Sequence, residues 1–178
     1  MRRLSCCALI VIVAAFGVQP VGAQSAPTDY RDEFLDHFER SSYKMMTLSE
    51  AVPETLYDWR PGEGVMPVAQ VYAHIARYNF MYLAENLGIP APDDVEYATL
   101  EEISGKGEVT RMLARSVEHV KEHVSEMSEE ELTAMTTLYG QQVAGWAVLF
   151  QLISHMNEHV GQSVAYARMN GITPPWSR

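Results

Sequence analysis

Beyond Cys7 the chain contains no cysteine, because its only two stand side by side at Cys6 and Cys7. A thiol nucleophile, a cysteine-ligated metal and a disulfide are thereby excluded for everything that follows. Cationic residues are also scarce: 13 Lys and Arg face 23 Asp and Glu. That balance repels phosphate backbones and argues against a nucleic-acid partner. The uncharged run from Cys6 to Val18 falls short of the roughly 20 residues a bilayer-spanning helix needs. There is no convincing period-two alternation, no internal repeat and no low-complexity segment.

What is present begins with a targeting pattern. Met1-Arg2-Arg3, the uncharged run and the small residues Val21-Gly22-Ala23 are ordered as in a secretory signal, with cleavage expected after Ala23. A transmembrane anchor is the weaker alternative. Cys6 and Cys7 precede the apolar core of the signal, a position that does not suit lipid attachment. The expected mature protein is periplasmic or secreted, with no stable membrane anchor after cleavage. Without residues 1–23, 155 of the 178 residues remain, carrying 11 basic and 23 acidic side chains. This length suits one domain, 24–178, able to bury roughly 68–70% of its surface.

Residues 24–28 read as a linker, and Thr28 or Asp29 can cap a helix running from about Asp29 to Ala51. Phe34, Phe38, Ser41, Met45, Leu48 and Val52 share one stripe of it. Pro53 interrupts, and Tyr57-Asp58-Trp59-Arg60-Pro61-Gly62-Glu63-Gly64 is a turn-rich loop with an aromatic plug. A second helix is expected from Pro67 to Asn86, with Val71, Ile75, Tyr78, Met81 and Tyr82 on its apolar face. A third runs from Leu100 or Val109 to Val124, with Met112, Leu113, Val117, Val120 and Val124 inward. Ser128 with Glu131 has capping-box spacing. The last helix, from about Val143 to Met169, is apolar nearly all round and ends at Asn170-Gly171. Four such segments predict an all-α, antiparallel four-helix bundle.

Chemistry concentrates on that last helix. His155 and His159 are four residues apart, a rotation of about 400°, so both imidazoles leave one face a turn apart. Gln162 and Tyr166 lie within about 60° of the same direction. His74 lies within about 60° of the centre of the second helix's apolar face. Three neutral nitrogen ligands on two helices would leave coordination positions open for water or substrate.

The run His155-Met156-Asn157-Glu158-His159 also fits the H-x-x-E-H pattern of inverted zinc proteases. That fold of ligands needs a downstream acid, and none of the 19 residues after His159 is Asp or Glu. Glu158 and Tyr166 remain the candidates for proton transfer or orientation. His119 and His123 form a second i, i+4 pair at the edge of the third helix's apolar stripe, flanked by Glu118, Lys121 and Glu122, and their surroundings read as a solvated face. His37 lies at the border of the first helix's stripe.

Four stretches together resemble the DinB-like superfamily of metal-binding four-helix bundles, which includes YfiT-like metal-dependent hydrolases and thiol-dependent transferases. They are Leu56-Tyr57-Asp58-Trp59-Arg60-Pro61-Gly62-Glu63-Gly64, Val71-Tyr72-Ala73-His74-Ile75, Leu152 to Gln162, and Ala167-Arg168-Met169-Asn170-Gly171-Ile172-Thr173-Pro174-Pro175. Their order and spacing agree from about Asp29 to Trp176. The resemblance implies an up-down-down-up bundle, often a homodimer. It implies one divalent metal, zinc or nickel, held by His74, His155 and His159 with Gln162 close by.

Two features depart from the family's pattern. Val160 stands where many members have a basic residue, and many members are cytoplasmic whereas this chain is expected to be exported. Thiols such as bacillithiol, mycothiol or glutathione, which the transferases use, are scarce outside the cytoplasm. The leading expectation is therefore an exported metal-dependent hydrolase or group transferase acting on a small molecule of unknown identity. The alternatives are a non-catalytic metal- or small-ligand-binding bundle, and a bundle held by packing whose histidines bind nothing.

Overall fold

The side chain of Asp29 accepts hydrogen bonds from the backbone N–H groups of Arg31 and Asp32, and this cap opens α1, Tyr30–Ala51. The computed structural model describes residues 29–177, so the expected signal segment, 1–23, and the linker, 24–28, lie outside the described residues. All six stripe residues of α1, Phe34, Phe38, Ser41, Met45, Leu48 and Val52, are buried. The 3.6-residue period thus sets which face meets the core.

The following loop is tied to both neighbouring helices. Tyr57 is buried and its hydroxyl donates to the Ser49 carbonyl at 2.8 Å. The carbonyls of Trp59 and Tyr57 accept from Val68 and Ala69 at 3.0 and 2.8 Å. These bonds satisfy N–H groups that the first turn of a helix leaves without partners. That helix is α2, Val68–Met81, which continues as one π-helical turn over Tyr82–Asn86. A 3₁₀ segment, Tyr97–Glu102, precedes α3, Lys106–Glu126. Ile103, Ser104 and Gly105 separate the two, and α3 starts between the two positions that the sequence leaves open.

A short α4, Glu129–Thr133, opens with the expected capping box of Ser128 and Glu131. Then comes a β-hairpin that hydropathy patterning does not foresee: β1, Met135–Leu138, pairs antiparallel with β2, Gln141–Ala144. Its tip is Tyr139-Gly140, with φ of 50° and 77°, the left-handed pair that a two-residue hairpin turn demands. Each strand is four residues long, and only Leu138 is buried within them. No alternating apolar face announces a sheet this small. Because Val143 and Ala144 belong to β2, the last helix, α5, begins at Gly145 and ends at Met169.

Each of α1 and α2 packs against both α3 and α5, which makes the four long helices a bundle around one core. Phe38, Ile75, Leu113 and Val148 are fully buried in it. Among the described residues, no helix is long and apolar enough to cross a membrane.

Gly145 marks where α5 meets α4 at closest approach. A Cβ there would stand 2.6 Å from the Glu131 carbonyl oxygen and 3.2 Å from that of Leu132. Backbone cannot swing aside as a flexible side chain would. Gly145→Ala is expected to lower stability by about 1–3 kcal/mol through overpacking, read as a reduced urea midpoint at unchanged slope. An unchanged midpoint would show that α4 yields freely.

Candidate metal centre

The core stripes of α2 and α5 carry His74 and the His155–His159 pair to one place. Their ligand-type nitrogens all lie within 4.8 Å of one another. His74 Nε2 is 3.1 Å from His155 Nε2, and the ring of His159 lies 4.8 Å from that of His74 and 4.7 Å from that of His155, between centroids. All three imidazoles are half-buried. Burial, then the neighbouring His159 and His74, push the imidazole of His155 down to about 3. His159 is likewise lowered, chiefly by burial. Both are neutral at pH 7, the form that offers a lone pair.

Hydrogen bonds decide which nitrogen holds that lone pair. His74 Nδ1 is 2.9 Å from Glu101 Oε1, which also accepts from Arg77 at 2.7 Å, while Gln70 donates to Glu101 Oε2 at 3.3 Å. Partial burial of Glu101 pushes its carboxyl up, but the bonds from Arg77, His74 and Gln70 outweigh this and hold it below its ordinary value. An ionised carboxylate only accepts, so Nδ1 of His74 carries the proton and Nε2 keeps the lone pair.

A second chain of bonds orients His159. The Met66 carbonyl can only accept, so the Tyr166 hydroxyl donates to it at 3.2 Å. The same hydroxyl accepts from Gln162 Nε2 at 2.9 Å, which turns Gln162 Oε1 towards His159 Nδ1 at 2.7 Å. His159 therefore also protonates Nδ1 and keeps its lone pair on Nε2.

This donor set fits a divalent cation. At 3.1 Å, His74 Nε2 and His155 Nε2 are close enough to share either a proton or a cation. Imidazoles bound at about 2.0–2.1 Å to one tetrahedral ion stand roughly 3.3 Å apart, close to the 3.1 Å between His74 and His155. The walls are aromatic: Tyr78 lies 4.4 Å from His74 and 4.5 Å from His155, and Tyr82 lies 6.0 Å from His155, between centroids. Tyr82 is buried, and its hydroxyl bonds that of Tyr139 at the hairpin tip. The unforeseen hairpin thus reaches the rim of the centre.

The remaining candidates fall elsewhere. Gln162 and Tyr166 stand behind His159, with the Tyr166 proton committed to a backbone carbonyl. Glu158 is exposed and lines a groove between α1 and α5 with Phe34, Trp146 and Phe150, although its charge still favours protonation of His159. His37 is exposed in that same groove. Glu101 is the participant that sequence reasoning missed. It sits in an acidic 3₁₀ segment next to Glu102 with nothing in its spacing to single it out. Gln70 and Arg77, four before and three after His74, were the available sign that this histidine has a polar neighbourhood.

His119 corrects the solvated-face reading. It is 6% exposed, and its ring packs 5.2 Å from that of Phe80 on α2. Its position on α3 faces a neighbouring helix, which charged neighbours in sequence do not reveal. Burial, with repulsion from His123, pushes its imidazole down to about 4, against about 6.5 in an unfolded chain. Between these values the unfolded state binds more protons, so His119 makes stability fall as pH drops from 6.5 to 4. In metal-stripped protein, His119→Leu should flatten that part of the stability profile, measured by urea unfolding across the range. A slope identical to the parent's would contradict a neutral buried His119.

Among the described residues the fold is an all-α bundle, and three histidines gathered from two of its helices form a group that could hold a metal ion. The chain belongs to the DinB family, whose model, described as "DinB family", matches residues 24–178. Its fold is similar to that of a DinB-like protein from Bacillus cereus ATCC 10987, at TM-score 0.68 and 18% identity over 81% of this chain and 95% of that one. A DinB-like protein from Bacillus subtilis gives TM-score 0.61 and 20% identity over 79% and 93%. A conserved protein from Enterococcus faecalis gives 0.59 and 16% over 77% and 94%. No curated protein matches the chain.

Proposed function

We propose that this DinB-family chain holds one divalent metal ion through His74, His155 and His159 and uses it in hydrolysis or group transfer on a small molecule. The observation that carries the reading is the convergence of three ligand nitrogens within 4.8 Å, two of them held in the ligand tautomer by Glu101 and by Gln162. A bound zinc or nickel ion supplies Lewis acidity and lowers the pKa of water or another nucleophile. Around it, Glu101 and Gln162 hold the imidazoles in place. Tyr78 and Tyr82 form an apolar wall that lowers the local dielectric, and the hydroxyls of Tyr82 and Tyr139 offer polar contacts at the rim.

Elemental analysis of protein purified without an affinity tag or chelator should find close to one equivalent of zinc or nickel per chain. A metal-free preparation that also takes up neither ion on addition would remove the basis of this reading. Turnover is then sought with small esters and amides, with and without a thiol.

A further inference from the structure

The polar cluster that the centre does not use lies on α3. His119 and His123 stack edge to face, with centroids 4.4 Å apart and planes at 71°. The pair in the centre, His155 and His159, shows almost the same arrangement, 4.7 Å and 71°. In both cases an i, i+4 spacing puts two imidazoles one turn apart on one face of a helix, the arrangement by which helical histidine pairs chelate an ion.

A second observation concerns the surroundings. His119 is 6% exposed, yet its Nε2 has no hydrogen-bond partner. Buried polar atoms in native proteins are nearly always satisfied, and an ion or its bound water is one way of doing so. The nearby cations are engaged elsewhere: Lys121 pairs with Glu39 at 2.7 Å and Arg115 with Asp94. Glu122 contributes negative charge beside His119, set against the positive charge of Arg115, which Asp94 partly offsets.

We propose that His119 and His123 form a second metal site, a two-histidine site for a borderline divalent ion of the Cu(II), Ni(II) and Zn(II) class. Among the described residues, the group of three or more ligand-type side chains is the one at His74, His155 and His159. The α3 site has two protein nitrogens, and water completes the coordination. It is therefore weaker than the centre and exchanges its ion more readily, with Cu(II) bound ahead of Ni(II) and Zn(II) by the general order of stability.

The test is titration of metal-stripped, untagged protein with Cu(II), followed by binding stoichiometry and by nitrogen hyperfine structure in the electron paramagnetic resonance spectrum. Two equivalents are expected in the parent protein, the weaker with imidazole nitrogen ligands. His123→Gln, at a half-buried position outside the core, should lose the weaker equivalent alone and keep its helix content. His155→Ala should lose the tighter one alone, which separates failure of this site from failure of the centre. A single equivalent in the parent, or a weaker equivalent that survives with unchanged nitrogen hyperfine structure in His123→Gln, would overturn the proposal.

Discussion

Replacing His155 with Ala is expected to reduce the zinc or nickel retained through purification to near background while helix content stays at the parent level. On the proposed assignment His155 joins the set, with its Nε2 3.1 Å from that of His74 and its ring 4.7 Å from that of His159. Without it His74 and His159 remain on separate helices, and chelation by two neighbouring residues of one helix is gone. The loss should exceed the roughly 10–100-fold in affinity that a partner outside the ligand set is typically worth. The fold survives for a separate reason. Val148, Leu152 and Met156 of α5 are each no more than 1% exposed, and they keep the helix packed whatever occupies position 155. Alanine also has the highest helix propensity. Elemental analysis and far-ultraviolet circular dichroism read the two halves of this expectation. Equal metal in variant and parent would refute the ligand assignment, and loss of helix would show that the imidazole is structural.

The second large effect is expected at a residue that never touches the ion. Glu101 accepts from His74 Nδ1 and from Arg77 through one oxygen, at 2.9 and 2.7 Å. Glu101→Ala removes the acceptor that keeps the proton on Nδ1, so His74 is free to adopt the tautomer whose Nε2 carries hydrogen and cannot bind metal. It also strips Arg77 of its carboxylate beside the centre, leaving a guanidinium to repel an incoming cation. Metal affinity should fall by roughly 10–100-fold, measured by competition with a chromophoric chelator. Glu101→Gln keeps the shape but not the charge, so its loss should be smaller than that of the Ala variant. Parent-like affinity in Glu101→Ala would show that the tautomer of His74 is set by the ion rather than by its carboxylate.

These two predictions differ in how far they could be read from the chain alone. The His155–His159 pair was legible because an α-helix turns 100° per residue, so four positions bring two side chains over one another whatever surrounds them. The stripe of α1 was legible for the same reason, down to the buried Ser41. His74 could be placed on the inner face of α2, but not against His155. The two are 81 positions apart, and the distance between them follows from how α2 and α5 pack. The family resemblance joined them by a different route, and the match over residues 24–178 agrees with it.

Where local pattern was the only guide, it misled or was silent. His119 carries charged sequence neighbours, yet its own angle on α3 turns it against Phe80. The hairpin escaped because four-residue strands with a single buried residue give no alternation to count. Glu158 immediately precedes His159 in a metal-like motif, but one step along a helix is a rotation of about 100°, enough to turn it from the centre into the groove beside Trp146.

By itself, then, the sequence determined the four long helices, the buried stripes of α1 and α3, the capping box at Ser128 and the shared direction of His155 and His159. All of these depend on short-range helical geometry and on the removal of apolar stripes from water. Tertiary structure alone decided that His74 meets that pair, that Glu101 reaches His74 from 27 positions away, and that His119 is buried. Those facts rest on contacts between elements, whose distances and protonation states no local period encodes.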